Sequence, residues 1–215
     1  MTAESFEFAA RREVIAELRP ILQTGDILVR QSKTSGPLGM PFSTLVSSLT
    51  ESRWSHSSIV YLKDGLPYVL EVTDRGVVEL RLIDWLDYCF EQRFLVLRHA
   101  DMTLAIAVKL RAEVDRYLEE DFEYDFSFND MSRVYCVGSV CRIYEQVGLP
   151  LMTPLKPKEA IPSWWRYRLF TVLNALAVLL VGKGFDLEEA LYFVGNEKKG
   201  VLACSKLQCV YERQG

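Results

Sequence analysis

The sequence predicts an α+β domain in which an antiparallel sheet packs against helices. Short segments rich in β-branched and aromatic residues follow one another with turn residues between them, as expected for antiparallel strands. Helical periodicity occurs before and after these strands rather than in regular alternation with them, which favours α+β over a doubly wound sheet. Hydrophobic residues make up 49% of the 215 residues and charged residues 25%, a composition typical of a globular protein.

The first hundred residues supply one long helix and most of the predicted strands. The chain opens with a helix over 4–19 and a short strand over 27–30. Asp64 and Gly65 have the composition of a hairpin turn, so the segments on either side of them are expected to pair. The other predicted elements here are strands over 54–61, 68–73, 77–82 and 94–97 and helices over 42–49 and 83–91.

Helical periodicity is clearest over residues 101–119. Apolar side chains repeat there at intervals of three or four residues and are expected to face a core; they are Ile106, Leu110, Val114 and Tyr117. A second helix, over 134–147, is expected to end before Gly148 and Pro150.

A proline-rich stretch suggests how the chain is divided. Residues 149–162 hold four of the eight prolines and have the composition of a linker. We therefore predict an N-terminal helix (1–24), a core (25–148), and a segment (149–215) in which a linker precedes a helical extension that packs on the core.

Charge and cysteine content exclude several classes of protein. The formal net charge of −4 and the scattered short basic clusters argue against nucleic-acid binding, which needs clustered Lys and Arg. The N-terminal segment carries early acidic residues and no apolar core, so it is not expected to be a secretory signal. Five cysteines, an odd number, fit reduced thiols, and together these features predict a cytoplasmic protein.

Metal and nucleotide sites are not predicted. The pairs Cys136/Cys141 and Cys204/Cys209 have a spacing that zinc sites do not favour, and the chain has only two histidines to complete such a site. The glycines around Lys183 lack the spacing of a phosphate-binding loop. We therefore expect neither a metal nor another cofactor.

Cys136 is the best-placed candidate nucleophile. It follows a polar loop and lies at the predicted start of a helix, where unpaired backbone N–H groups and the helix dipole favour a thiolate. The same N–H groups could hold an oxyanion. The alternative is that Cys136 is a small buried hydrophobic residue, the commonest role of a free cysteine.

His56 and Glu71 are the candidate partners of this cysteine. His56 lies in a predicted strand, and the hairpin places Glu71 within a residue or two of it on the partner strand. A carboxylate between Leu70 and Val72 in an apolar strand needs a partner if it is buried, and an imidazole is a suitable one. Alternatively, Glu71 points to water and His56 bonds to a neighbouring hydroxyl.

The order of these motifs resembles a known family. Gly25-Asp26-Ile27-Leu28, Ser55-His56-Ser57-Ser58, Leu70-Glu71-Val72 and Tyr135-Cys136 follow one another as in the circularly permuted papain-like hydrolases of the YaeF/YiiX type. These are related to NlpC-type cell-wall peptidases and to lecithin retinol acyltransferase. The resemblance covers roughly residues 25–147 and implies a permuted papain-like fold, in which the histidine strand precedes the cysteine helix.

The resemblance also implies roles for individual residues. Cys136 would be the nucleophile, His56 the general base and Glu71 the group that orients the imidazole. Substrate-lining or structural roles would fall to residues at other motif positions, which are Asp26, Tyr135 and Ser57. The chain departs from the family pattern at Ser58, where glycine is frequent, and at Val137-Gly138, where Ser-Glu is frequent; these changes bear on substrate preference and on activity.

Three functions follow from these observations. The first is a cysteine hydrolase or acyltransferase that acts on an amide or ester of a small molecule, peptide, peptidoglycan fragment or lipid. The second places the same fold at a membrane surface through 164–181, where two tryptophans and two arginines precede an apolar helix, although burial of this helix in the core is the favoured interpretation. The third is a lipid-binding or structural module with a vestigial triad.

Overall fold

The computed structural model describes residues 3–31, 50–73, 75–89, 93–124, 132–161, 163–181 and 186–214. The helix predicted over 42–49 lies outside the described residues. Within them the α+β prediction is confirmed, because helices pack on both faces of an antiparallel sheet.

The predicted elements that lie within the described residues occur in the expected order, and the structure adds short elements at 123–124, 133–134, 157–160 and 201–203. The helices are α1 (Ala3–Leu18), α2 (Leu82–Cys89), α3 (Leu104–Glu119), α4 (Cys136–Gln146), α5 (Pro157–Ala160) and α6 (Trp164–Val181), with a 3₁₀ turn at Val201–Ala203. The strands are β1 (Ile27–Arg30), β2 (His56–Lys63), β3 (Leu66–Thr73), β4 (Gly76–Arg81), β5 (Phe94–His99), β6 (Glu123–Tyr124), β7 (Arg133–Val134) and β8 (Leu207–Arg213).

Among the described residues, six strands form one antiparallel sheet in the order β4-β3-β2-β1-β5-β8. The β2–β3 hairpin has the register Ile59↔Leu70 and turns at Asp64 and Gly65. These two turn residues have φ angles of 53° and 74°, the left-handed conformation that a tight hairpin turn requires. On the other side of β2, Arg30 of β1 lies opposite His56.

Alternate residues of each strand face two separate apolar cores. Ile59 points toward α3 and α4, and the next residue, Val60, points toward α1 and α2. The core on the α3 and α4 side contains the apolar stripe predicted on α3, since Leu110, Val114 and Tyr117 are buried in it. The sheet is therefore covered on both faces, and its central strands are apolar on both sides.

The segment 149–215 joins the core through a strand and through buried side chains. Strand β8 pairs with the edge strand β5. Tyr192, Phe193 and Val194 are buried, and the backbone N–H of Tyr192 donates to the hydroxyl of Tyr135 at 2.7 Å. Residues beyond the boundary predicted at 148 therefore contribute a strand to the same sheet as the core.

Helix α6 does not follow the favoured sequence interpretation, in which the apolar helix over 164–181 is buried in the core. Most of its described apolar side chains are exposed; they are Trp164, Trp165, Leu169, Val172, Leu176, Val178 and Leu179. The expectation that this helix is buried in the core is therefore wrong for these side chains. In the part of the chain that is described, no helix combines the length and apolar character needed to cross a membrane.

Candidate active site

His56 and Glu71 meet across the β2–β3 hairpin. The register Ile59↔Leu70 brings the start of β2 beside Glu71, near the end of β3. His56 Nε2 and Glu71 Oε1 are hydrogen-bonded, and both side chains are buried. The sequence prediction that these two residues lie within reach of each other is therefore met in the structure.

Three further side chains hold the Glu71 carboxylate in place. The Ser58 hydroxyl donates to Oε2 at 2.8 Å, and the Trp85 indole Nε1 of α2 donates to the same oxygen at 2.9 Å. Arg30 Nη2 lies 3.9 Å from Oε1. Glu71 thus accepts hydrogen bonds from β2 and from α2 and lies within ion-pair distance of Arg30 on β1, so its orientation is fixed from several directions.

Cys136 is the first residue of α4, which packs against β2. The preceding residue, Tyr135, has extended backbone angles (φ −138°, ψ 163°) and makes no side-chain hydrogen bond to the helix end. The first N–H groups of the helix have no intrahelical partner, so they can bind an oxyanion beside the sulfur. A change from extended to helical backbone at the Tyr135–Cys136 step places the thiol at this end of the helix.

The sulfur of Cys136 contacts both His56 and the backbone of β2. A side-chain hydrogen bond joins Cys136 to His56, and the backbone N–H of Ser57 donates to the same sulfur. Because Nε2 of the imidazole faces Glu71, Nδ1 is the ring nitrogen left for the thiol. The structure therefore brings Cys136, His56 and Glu71 into one chain of contacts.

The three groups shift one another's pKa values, so that the imidazole of His56 holds its proton more tightly and the thiol of Cys136 loses its proton more easily. Burial by itself lowers the pKa of His56, but the charge of Glu71, reinforced by Cys136, raises it to about 9. Burial raises the pKa of Cys136, and the neighbouring His56 outweighs it, so the pKa of the thiol is lowered. Burial likewise raises the pKa of Glu71, but His56 and Arg30 together lower it below the ordinary value.

These opposite shifts favour a thiolate beside an imidazolium at neutral pH. Such a pair supplies a nucleophile that is already deprotonated and an acid that can protonate a leaving group. The arrangement suits attack on a carbonyl carbon, with the α4 N-terminus beside the developing oxyanion.

The other predicted site residues lie at differing distances from this centre. Ser57 is adjacent, because its backbone N–H donates to the sulfur while its side chain is buried. Tyr135 is buried, and its ring lies on Gly138 while its hydroxyl accepts from Tyr192. Asp26 is bound elsewhere: Arg98 Nε and Nη2 each donate to its carboxylate at 2.8 Å. The contacts of Asp26 are those of a structural residue, which is one of the two roles the resemblance allowed.

The Cys141 and His99 side chains lack this environment. Cys141 lies in the same helix and is buried, and burial raises its pKa well above the ordinary value. Burial lowers the pKa of His99, whose Nδ1 accepts the backbone N–H of Asp101 at 3.2 Å. Of these groups, Cys136 has the lowered thiol pKa and the imidazole contact that nucleophilic catalysis needs.

Sequence reasoning missed two members of the site and gave no role to a third. Arg30 stands directly opposite His56 in the β1–β2 register, so the pairing of two predicted strands could have located it. The contact of Trp85 with Glu71 depends on how α2 packs, and no local pattern signals it. Ser58 was noted only as a departure from glycine, and the structure shows that its hydroxyl binds Glu71.

Comparison with solved structures finds a similar fold. The crystal structure of yiiX from Escherichia coli O157:H7, described as a metalloprotein, superposes with a TM-score of 0.71 at 24% sequence identity, covering 90% of this chain and 98% of that one. Within the described residues of this chain, no group of three or more His, Cys, Asp or Glu side chains is placed to hold a metal ion. A search of curated proteins finds no match.

Comparison with family models identifies the chain more directly. The model of the permuted papain-like amidase enzymes, YaeF/YiiX, C92 family, matches residues 21–165, about two thirds of the sequence. This range contains Cys136, His56 and Glu71. The chain therefore belongs to the permuted papain-like amidases of the YaeF/YiiX type.

Proposed function

We propose that this protein is a thiol hydrolase that cleaves amide or ester bonds through a covalent acyl-enzyme, with Cys136 as nucleophile, His56 as acid and base, and Glu71 as the group that orients the imidazole. The observation that carries the proposal is the buried contact of Cys136 with His56 and its effect on both pKa values, which are lowered for the thiol and raised to about 9 for the imidazole.

The reaction proceeds in two stages. The thiolate of Cys136 attacks the carbonyl carbon, a C–S bond forms, and the carbonyl oxygen becomes an oxyanion held by the N-terminal N–H groups of α4. The imidazolium of His56 gives its proton to the leaving nitrogen or oxygen as the carbonyl bond to that atom breaks. Water then gives a proton to His56 and attacks the thioester, which releases the carboxylic acid and restores the ion pair.

Glu71 acts through His56 rather than on the substrate. Its Oε1 binds His56 Nε2, which leaves Nδ1 directed at the sulfur. Since Ser58 and Trp85 bind its other oxygen, the carboxylate cannot rotate without losing two hydrogen bonds.

p-Nitrophenyl acetate tests this function without knowledge of the natural substrate. We expect a burst of p-nitrophenolate equal to the amount of enzyme, and peptide mass mapping should place the acetyl group on Cys136. Cys136→Ala should abolish both, whereas Cys141→Ala, which removes a buried thiol of the same helix, should keep both if the variant folds.

The same experiment separates the neighbouring functions. Addition of a primary amine such as glycinamide distinguishes acyl transfer from hydrolysis, because transfer yields the acetylated amine. A folded wild-type protein that shows no acetyl-Cys136 and no burst above the Cys136→Ala background would contradict the proposal and favour a binding module with an inactive triad.

A further inference from the structure

The solvent-facing side of α6 is continuously apolar. Trp165, Leu169, Val172, Leu176 and Leu179 are spaced four, three, four and three residues apart, so they lie along one face of the helix. All five are exposed. A row of large apolar side chains in water is unfavourable, and such a surface marks a binding site for an apolar partner.

The opposite side of α6 carries polar groups and only a small apolar contact. Phe170 is buried against Ile161, which with Tyr167 and Leu187 forms a separate small cluster. On this side Arg166 Nη1 forms an ion pair of 2.9 Å with Glu51. The large exposed apolar side chains of α6 thus lie on the side away from this contact, unlike those of an ordinary surface helix, whose apolar face packs on the core.

One end of the exposed face combines aromatic and cationic groups. The Arg168 guanidinium lies 5.4 Å from the ring centre of Trp164, and both side chains are exposed. The sequence of α6 contains no Asp or Glu. Tryptophan and arginine together suit the headgroup region of a bilayer, where the ring is half immersed and the guanidinium meets phosphate.

We propose that α6 docks this protein on an anionic membrane surface, with the helix lying in the plane of the interface. Its 18 residues give a length of about 27 Å, so the whole helix can lie along the headgroup boundary. Leu169, Val172, Leu176 and Leu179 enter the acyl region, while Arg168 binds phosphate groups.

The breadth of the exposed face favours lipid over a second copy of the chain. A two-stranded coiled coil has a narrow apolar seam flanked by charged residues of both signs. Here Trp164 and Ala175 flank the row, are exposed, and are apolar. The absence of acidic residues in α6 also removes the interhelical ion pairs that would set the register of a helix pair.

Vesicle flotation with matched variants tests the proposal. Wild-type protein should float with vesicles of equal parts phosphatidylcholine and phosphatidylglycerol, and less with phosphatidylcholine alone. The double variant Val172→Ser/Leu179→Ser, at positions 57% and 79% exposed, should lower the partition coefficient at least about tenfold. The control Val108→Ser/Leu104→Ser removes the same residue types from α3, at positions 64% and 83% exposed, and should leave binding unchanged.

Tryptophan fluorescence gives a second readout from the same helix. Trp164 and Trp165 are 71% and 55% exposed, whereas Trp54 and Trp85 are buried. Addition of anionic vesicles should therefore shift the emission to shorter wavelength. Replacing both Trp164 and Trp165 by Phe should remove that shift, because the two buried tryptophans already lie in an apolar environment.

Three outcomes would overturn the membrane proposal. They are no flotation of the wild type, equal loss of binding in the α3 control, and a wild-type dimer in solution that the α6 double variant converts to monomer without any vesicle binding. The last result would assign the face to a second copy of the chain. Flotation of Cys136→Ala should equal that of the wild type, so the membrane proposal and the proposed catalysis can fail independently.

Discussion

Four ionisable groups are buried together at the proposed catalytic centre. His56 and Arg30 are the cationic members and Glu71 is the anionic one, and Cys136, whose thiol pKa is lowered, adds a second negative charge when it ionises. Buried ions are tolerated when they are paired and hydrogen-bonded, and here the two signs balance. The surroundings therefore favour the thiolate as a set, in which Glu71 raises the pKa of His56 and His56 lowers the pKa of Cys136.

Removing the charge of Glu71 should move the pH profile of acylation. The carboxylate raises the pKa of His56 to about 9, so wild-type acylation by p-nitrophenyl acetate should fall as pH rises through about 9, where the imidazolium is lost. In Glu71→Gln the falling limb should move to lower pH, and acylation at neutral pH should drop about tenfold or more. Stopped-flow measurement of the burst across pH gives both quantities.

Glu79→Gln is the matched control for this variant. Glu79 lies on β4 of the same sheet and binds Tyr61 and Lys63 rather than His56. Replacing Glu79 should leave unchanged the pH at which the rate of acylation falls. An unchanged profile in a folded Glu71→Gln variant would show that the carboxylate does not set the pKa of His56.

The sequence predicted the three central residues but not all of their surroundings. The hairpin turn at Asp64 and Gly65 fixed which residues face each other, so the proximity of His56 and Glu71 was accessible from local pattern. Trp85 reaches Glu71 from a helix whose packing direction is set by tertiary contacts, and no periodicity in the sequence contains that information.

At the scale of elements, the start of α4 decides where the nucleophile lies. The helix was predicted from residue 134, and it begins at Cys136 because Arg133 and Val134 pair as β7 with β6. The two-residue difference makes Cys136 the first residue of the helix rather than the third, at the end where the N–H groups have no intrahelical partner. Sequence periodicity does not resolve such a boundary, because a short strand can extend to the first residue of a helix.

Gly138 is required by the ring of Tyr135. A Cβ at this position would lie 2.7 Å from Cε1 and 2.8 Å from Cζ of that ring. The ring cannot move freely, because its hydroxyl accepts the Tyr192 N–H. We expect Gly138→Ala to lower the free energy of unfolding by about 1–3 kcal/mol in urea denaturation, even though alanine favours helix by about 1 kcal/mol.

A double-mutant cycle isolates this contact. In a Tyr135→Leu background the same Gly138→Ala change should lower the free energy of unfolding much less, because the aromatic ring that crowds the new Cβ is absent. If Gly138→Ala stabilises the wild-type protein, helix propensity outweighs the contact with Tyr135 and this explanation of the glycine at position 138 is wrong.

At the scale of the whole molecule, the sheet extends beyond the segment that defines the family. The family model ends at residue 165, but β8, at 207–213, pairs with β5 and covers what would otherwise be an open edge. The edge that this last strand joins depends on contacts between distant parts of the chain, which a local sequence pattern does not contain. The exposure of α6 was unpredictable for the same reason, because an apolar run has the same composition whether it is buried or exposed.

In this fold, residues that are far apart in the sequence meet at the candidate active site. The histidine strand precedes the cysteine helix, and the two meet because α4 packs across β2. The chemistry depends only on that meeting, so the central claim concerns the ionisation of one thiol in the folded protein.

A pH titration of thiolate ultraviolet absorbance tests that claim most directly. The difference between wild type and Cys136→Ala reports the ionisation of this sulfur alone and does not require a reagent to reach it. We expect the difference to be present at neutral pH and to disappear only on acidification, because His56 lowers the pKa of the Cys136 thiol. A difference that appears only as pH rises through about 8.5, the ordinary range of a free thiol, would contradict the ion pair.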